Sequence, residues 1–271
     1  MHFEDIPIVV ISLDRRPDRW AAFLQRAESA NIQHKVQRLS AVDANDFVAH
    51  EHPGVSLFAA HNIKHKTRRA HHEIDMPGAI GCSLSHFKAW KTLLDSSAPA
   101  LIIFEDDSTV PVDFKRRMEK LLTELPESCD VVSFYNTTYK GGSTGCSKKT
   151  ADVPWQKCTS LIGSHAYMVT RRGAQRLLDK AYPIELHVDA YIAFMSRMDF
   201  ISLLWNPVMQ IPAYQLTDSD INHGGSNILN IPSNMERSGI VALELNSVIG
   251  IAAMAAVVGG LVALAYVVRK R

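Results

Sequence analysis

The stretch IPIVVISLDRRPDRWAAFLQRA, residues 6–27, reads as a strand running directly into a helix. Ile6 to Leu13 is a short apolar, β-rich run of the kind buried inside a sheet. Pro17 suits a helix start, and Trp20, Phe23, Leu24 and Ala27 recur at helical spacing to about Ala30. Lys35 to Leu39 reads as a second strand, closing in Ser40-Ala41-Val42-Asp43. Strand, helix, strand is the unit of a parallel sheet.

Working outward, the same alternation continues. A helix runs through Phe87, Trp90, Leu93 and Leu94 after the segment Gly78–His86, and Pro99 breaks it. Ala100 to Phe104 (ALIIF) is a buried strand ending abruptly in Glu105-Asp106-Asp107. Val112 to Leu125 is an amphipathic helix, Val131 to Tyr135 a strand, Ala166 to Thr170 a strand, and Arg172 to Ala181 a helix. The expected fold class is α/β with a largely parallel sheet. Residues 44–77 lack clear periodicity and hold His50, His52, His61, His65, His71 and His72. They read as a polar surface insertion, although His61 and His65 share a helical face.

Composition narrows the function. The chain has 271 residues, 46% hydrophobic and 21% charged, which excludes a disordered protein. Four scattered cysteines exclude a disulfide-dense scaffold, and no CxxC suggests a zinc site or redox pair. Net charge is +1, and the tip Arg269-Lys270-Arg271 supplies that excess. A nucleic-acid partner is not indicated. No GxxxxGK[ST] loop is present, which removes the commonest phosphoryl-transfer architecture.

Val248 to Val268 (VIGIAAMAAVVGGLVALAYVV) carries no charge and is long enough, as a helix, to cross a bilayer. The expected organisation is a body over 1–240, a linker over 241–247, a membrane helix over 248–268 and a basic tip over 269–271. Ala255/Gly259 and Ala256/Gly260 could pack two spans into a homodimer. The N-terminus resembles no signal peptide, so the span reads as a tail anchor with the body in the cytosol. The basic tip argues the opposite orientation.

Three carboxylates at the end of a buried strand call for a use. Strand alternation sends Glu105 and Asp107 to one face and Asp106 to the other. Two oxygens at the carboxyl end of a sheet strand suit Mg²⁺ or Mn²⁺, the alternative being a solvated acidic turn.

VVISLDRRPDRW at 9–20, RLSAVDA at 38–44, GAIGCSLSHFKAW at 78–90, ALIIFEDD at 100–107, SHAYMVTRRGAQRLL at 164–178 and PIELHVDAYI at 183–192 together resemble glycosyltransferase family 25. The resemblance implies a Rossmann-like A-type glycosyltransferase fold that uses a UDP-sugar donor and inverts the transferred centre. It implies galactose or a related hexose moving onto a glycan or protein hydroxyl. Under it, Glu105 and Asp107 hold the metal; His223, beyond the matching segments, is a late candidate for a metal ligand or a diphosphate contact. Arg15, Arg16 and Arg19 meet the nucleotide's phosphates or ribose. Ser85 and His86 open or cap a helix beside the metal strand and contact the donor. Asp189 is the first candidate for the base that activates the acceptor, with Glu185 second. A glycan on Asn136-Thr137-Thr138 would block such a cleft, in keeping with a cytosolic body. The rival reading is a non-catalytic, membrane-tethered binding protein built on an inactivated transferase body.

Overall fold

A computed structural model of the chain describes residues 1–70, 72–135, 146, 155–161, 163–206, 208, 209 and 211. The sheet strands are β1 (Ile8–Ser12), β2 (Val36–Ser40), β3 (Ala100–Glu105), β4 (Val131–Ser133), β5 (Gln156–Lys157), β6 (Ala166–Thr170) and β7 (Leu203–Trp205). They form one seven-stranded sheet in the order β2-β1-β3-β6-β4-β7-β5. β1 pairs in parallel with β2 and β3, and β4 in parallel with β7. β6 runs antiparallel between β3 and β4, and β5 antiparallel to β7. The sheet is therefore mixed, with most strands sharing one direction. Apolar runs predict strands but not their polarity, because a buried strand shows the same pattern either way.

Helices cover both faces. α1 (Pro17–Ser29) and α4 (Phe114–Thr123) bury Phe23, Ala27, Phe114 and Met118 against Ile8, Val10, Ile102 and Phe104. On the other face α3 (Pro77–Leu94), α5 (Arg171–Leu178) and α6 (Val188–Arg197) pack on Val9, Ile11, Leu101 and Ile103. Alternate residues of β1 and β3 thus feed two separate cores, which is the period of two made physical.

The expected polar surface insertion is corrected by the structure. Within residues 44–77 a helix, α2 (Leu57–His65), is capped by Ser56, whose hydroxyl accepts from the Ala59 N–H. Ile74 and Met76 reach the core, and Asn62, Glu73 and Asp75 are buried too. The segment is stitched to the chain before α6: Val55 bridges Ile184, Glu73 bridges Leu186, and the His187 N–H donates to the His72 carbonyl. A short helix and isolated bridges carry too little periodicity to be read from sequence.

Cys146 and Cys158 form a disulfide, a pairing their spacing does not suggest. Among the described residues no helix is long and apolar enough to cross a membrane. The expected span at 248–268, the linker before it and His223 lie outside the described residues, as does Asn136.

Candidate active site

β1 leads out to β2 on one side, and the chain then returns past β1 to form β3 on the other. The crevice between the carboxyl ends of β1 and β3 is thus a topological switch point, where open α/β sheets bind ligands. A cleft of about 410 Å³ lies there, with Arg15, Arg19, Asp43, Glu105, Asp106 and Asp107 among its walls.

The strand ends at Glu105, and Asp106 and Asp107 fall in a turn. This corrects the expected alternation: beyond the last strand residue the two-residue period lapses, and all three acids line the cleft. The turn is pinned from three directions. The Asp106 N–H donates to the Ile11 carbonyl at 3.2 Å, and the Ser108 hydroxyl donates to the His165 carbonyl. Arg26 of α1 donates to the carbonyls of Asp106 and Ser108 at 2.6 and 2.9 Å.

Arg19 bridges Asp106 and Asp107 at 3.0 and 3.1 Å. Arg15 pairs with Asp43 at the rim at 2.6 Å. Arg16 pairs with Asp18 and is not among the cleft's lining residues. So the three arginines are divided between the acids, the rim and the outside.

Glu105 Oε1 accepts from the Ser164 hydroxyl at 2.9 Å and lies 3.3 Å from His86 Nε2. A relay stands behind it. Trp90 Nε1 donates to the Tyr167 hydroxyl at 2.8 Å, and that hydroxyl lies 2.8 Å from His86 Nδ1. Indole N–H can only donate, so the Tyr167 proton is left for Nδ1. The His86 proton then sits on Nε2 and points at Glu105, an assignment made from the hydrogen-bond network. Burial works to raise the Glu105 pKa, but the hydrogen bonds from His86 and Ser164 outweigh it and carry it down to about 2.

Asp107 is the opposite case. Burial and the neighbouring Glu105 charge push it up to about 7, against the pull of Arg19. Its Oδ1 is buried and has no hydrogen-bond partner. An orphaned carboxylate oxygen beside an ionised carboxylate fits a divalent cation, which would satisfy the oxygen and offset the repulsion. Glu105 and Asp107 supply the hard oxygen donors that Mg²⁺ or Mn²⁺ takes. Cys82, His86 and Glu105 also converge, with ligand atoms within 4.8 Å of one another. That set fits less well. Burial, then the charges of Glu105, Asp189 and Asp107, hold the Cys82 thiol well above its usual range, and both His86 nitrogens are already engaged.

Ser85 and His86 sit in the middle of α3 and neither open nor cap it. The Ser85 hydroxyl donates to the Gly81 carbonyl at 2.7 Å and accepts from the Val42 N–H at 2.8 Å. It holds α3 to the loop after β2, and Ser85 also lines the cleft with one acceptor lone pair left over. Gly81 is part of the same contact, since a Cβ there would lie 2.6 Å from the Val42 carbonyl oxygen.

Asp189 lies in the first turn of α6. Its Oδ2 accepts from the Gly163 N–H at 2.8 Å and its Oδ1 from the Ala190 N–H at 2.7 Å. Gly163 adopts φ +84°, the left-handed region where glycine is at home. The segment Gly163-Ser164 therefore ties Asp189 to Glu105. Glu185 is elsewhere: exposed, and on the wall of a second cavity. It does not share the acids' cleft because three residues before α6 the chain still runs with the 44–77 segment.

Sequence reasoning missed Cys82, Ser164 and Tyr167. Cys82 and His86 are spaced i, i+4, a signal that was there to find; Ser164 and Tyr167 are brought in only by antiparallel pairing of β6 with β3.

The profile of glycosyltransferase family 25 (LPS biosynthesis protein) matches residues 5–192. The chain belongs to glycosyltransferase family 25. The matched region ends just past Asp189, within α6, and contains every residue named above in the cleft. Among its relatives is procollagen galactosyltransferase 1 of Danio rerio, 27% identical over 207 residues, covering 72% of this chain and 32% of that protein. The probable inactive glycosyltransferase 25 family member 3 of Rattus norvegicus is 29% identical over 127 residues, 46% of this chain and 21% of the relative. A putative glycosyltransferase of Acanthamoeba polyphaga mimivirus is 29% identical over 126 residues, 46% of this chain and 36% of the relative. The chain thus spans well under half the length of each. The family contains members named as transferases and members named as inactive, so residues in the cleft must carry the functional argument.

Proposed function

We propose that this family 25 protein is a metal-dependent, inverting hexosyltransferase. It moves a hexose, galactose in the first instance, from a UDP-sugar to a hydroxyl of a glycan or protein acceptor. The observation that carries the reading is the orphaned Asp107 oxygen beside ionised Glu105 in the switch-point cleft.

The cleft's volume falls within the roughly 300–1,000 Å³ of small-molecule sites. Glu105 and Asp107 would hold the cation, and Arg15 at the rim is placed to pair with the donor's phosphates. When bound, Mn²⁺ or Mg²⁺ supplies charge neutralisation for the departing diphosphate. The acceptor oxygen bonds to the anomeric carbon as the bond from that carbon to the diphosphate breaks on the opposite face, which inverts the centre. Asp189 takes the acceptor's hydroxyl proton, and UDP leaves with the electron pair of the broken bond. Each Asp189 oxygen accepts one backbone N–H and keeps a free lone pair, so the base is oriented without being saturated. Arg19 keeps Asp106 and Asp107 from repelling each other.

A second reading, a non-catalytic binding protein on an inactivated body, draws on that same Arg19 bridge, which already offsets acid charge, and on the relatives named inactive. The full chain with Mn²⁺ and UDP-galactose separates the two. Release of UDP that requires both the cation and an acceptor supports transfer; cation-dependent UDP binding with no turnover of any UDP-hexose supports the second reading.

The anchor at 248–268 belongs to the same proposal, with a lipid bilayer as partner and self-association through the span. The Cys146–Cys158 disulfide weighs against a cytosolic body, because such bonds persist in oxidising compartments. The basic tip, if cytosolic, agrees with the disulfide.

A further inference from the structure

A second cavity, of about 600 Å³, opens beside the first. α3 separates them: Cys82 and His86 face the acidic cleft, and Ser83 and Phe87 face this cavity. Each pair is one residue on from the other, about 100° round the helix. Val188 and Ala190 line the cavity and flank Asp189 in sequence. Ser160 and Leu161 form another wall, just ahead of Gly163, whose N–H holds Asp189. The cavity therefore lies across α3 from the acidic cleft, close to the segment that holds Asp189, while Asp189 itself is not among its lining residues.

Its surface has a distinct chemistry. Two rings stand in solvent at its edge, Tyr182 at 54% and Phe194 at 42% exposure. Tyr182 is braced edge-on by Phe87, with ring centroids 5.5 Å apart and planes at 77°. Ser83 is only 1% exposed, lines the cavity, and its hydroxyl has no hydrogen-bond partner. A buried hydroxyl left unpaired is costly, so this one is suited to a ligand group. Lys180, Arg197 and Glu185 add charges of both signs. Lysine and arginine only donate and a carboxylate only accepts, so together they suit groups that do both. Flat rings to stack on a sugar's C–H face, with mixed donors and acceptors around them, match a neutral, hydroxyl-rich ring.

The geometry points to this cavity as a saccharide site that anchors a glycan acceptor by a sugar remote from the reacting hydroxyl. The assignment rests on the transferase reading and narrows it: the acceptor is a glycan. Glu185 is then an acceptor contact, which explains why it is remote from the acids.

The test uses the full chain in detergent with Mn²⁺, and three neutral probes: methyl β-galactoside, methyl β-glucoside and lactose. Saturation-transfer NMR measures their binding, and calorimetry measures UDP binding to the same samples. At least one probe should bind saturably. Phe194→Ala and Tyr182→Ala should each weaken it tenfold or more, and Ser83→Ala several-fold, with UDP affinity held within twofold. Phe194 is solvent-facing on α6, so its variant keeps the test sound if Tyr182→Ala misfolds. The inference is overturned if no probe binds, or if Phe194→Ala leaves binding unchanged. UDP binding without saccharide binding sinks this site alone. Saccharide binding without UDP binding sinks the donor reading and leaves the site standing.

Discussion

Replacing Tyr167 with Phe removes one oxygen from the centre of the relay behind Glu105. That hydroxyl is buried, accepts from Trp90 Nε1 and meets His86 Nδ1, each at 2.8 Å. Its loss strands two buried polar groups, and each unsatisfied group costs about 1–3 kcal/mol. The expected destabilisation is therefore about 2–6 kcal/mol, a large share of the roughly 5–15 kcal/mol that holds a typical domain. Tyr191→Phe is the matched control. Its hydroxyl donates only to the Leu177 carbonyl, at 2.6 Å, and that oxygen also accepts the Asp179 and Lys180 N–H groups. Nothing is orphaned, so the loss should be about 1 kcal/mol or less. Urea titrations of the full chain and both variants measure the difference, provided the slope with denaturant is unchanged. Nitrogen-15 shifts of His86 should also show Nε2 losing its exclusive hold on the proton. Equal destabilisation by the two variants would refute the claim that stranded partners, rather than the lost atom, set the size of the effect.

Asp107→Asn should abolish stabilisation by Mn²⁺ plus UDP in a thermal-shift assay while leaving the metal-free fold intact. The pH dependence follows with a definite sign. The folded pKa of Asp107 is raised from 3.8 to about 7, so its contribution is present at low pH and is lost as pH rises through that window. Metal-free parent protein should therefore lose stability relative to Asp107→Asn between about pH 4 and 7, with a slope near 1.4 kcal/mol per unit at most. Mn²⁺ should reverse the trend, since proton and cation compete for one oxygen. Gly173→Ala should cost about 1–3 kcal/mol by urea titration, despite alanine's better helix propensity, because the new Cβ would lie 2.3 Å from the Asp130 carbonyl oxygen.

Much of the sheet could be read directly. Ile6–Leu13 became β1, Lys35–Leu39 became β2 shifted by one residue, and Ala166–Thr170 matched β6 end to end. These are buried runs whose composition alone marks them. The helix expected only after His86 in fact begins at Pro77. Gly78 and Gly81 argue locally against a helix, yet Gly81 is needed where α3 meets the Val42 carbonyl, a tertiary demand no local pattern carries. The acids' location was legible and their orientation was not, because alternation ceases where the strand does. Ser85, expected as a ligand contact, does line the cleft, but its bonds to Gly81 and Val42, which fasten α3 to the loop after β2, could not be read from sequence. The roles of Ser164 and Asp189 depend on the Gly163 turn, whose positive φ is a property of the folded chain.

One experiment bears most directly on the donor site: anomalous diffraction at the manganese edge from crystals of the chain grown with Mn²⁺ and UDP. The account predicts a single strong peak between Glu105 and Asp107, with the diphosphate of UDP completing the cation's shell and Asp107 Oδ1 in contact with it. A peak at Cys82 and His86 instead, or UDP density with no cation near Asp107, would contradict it.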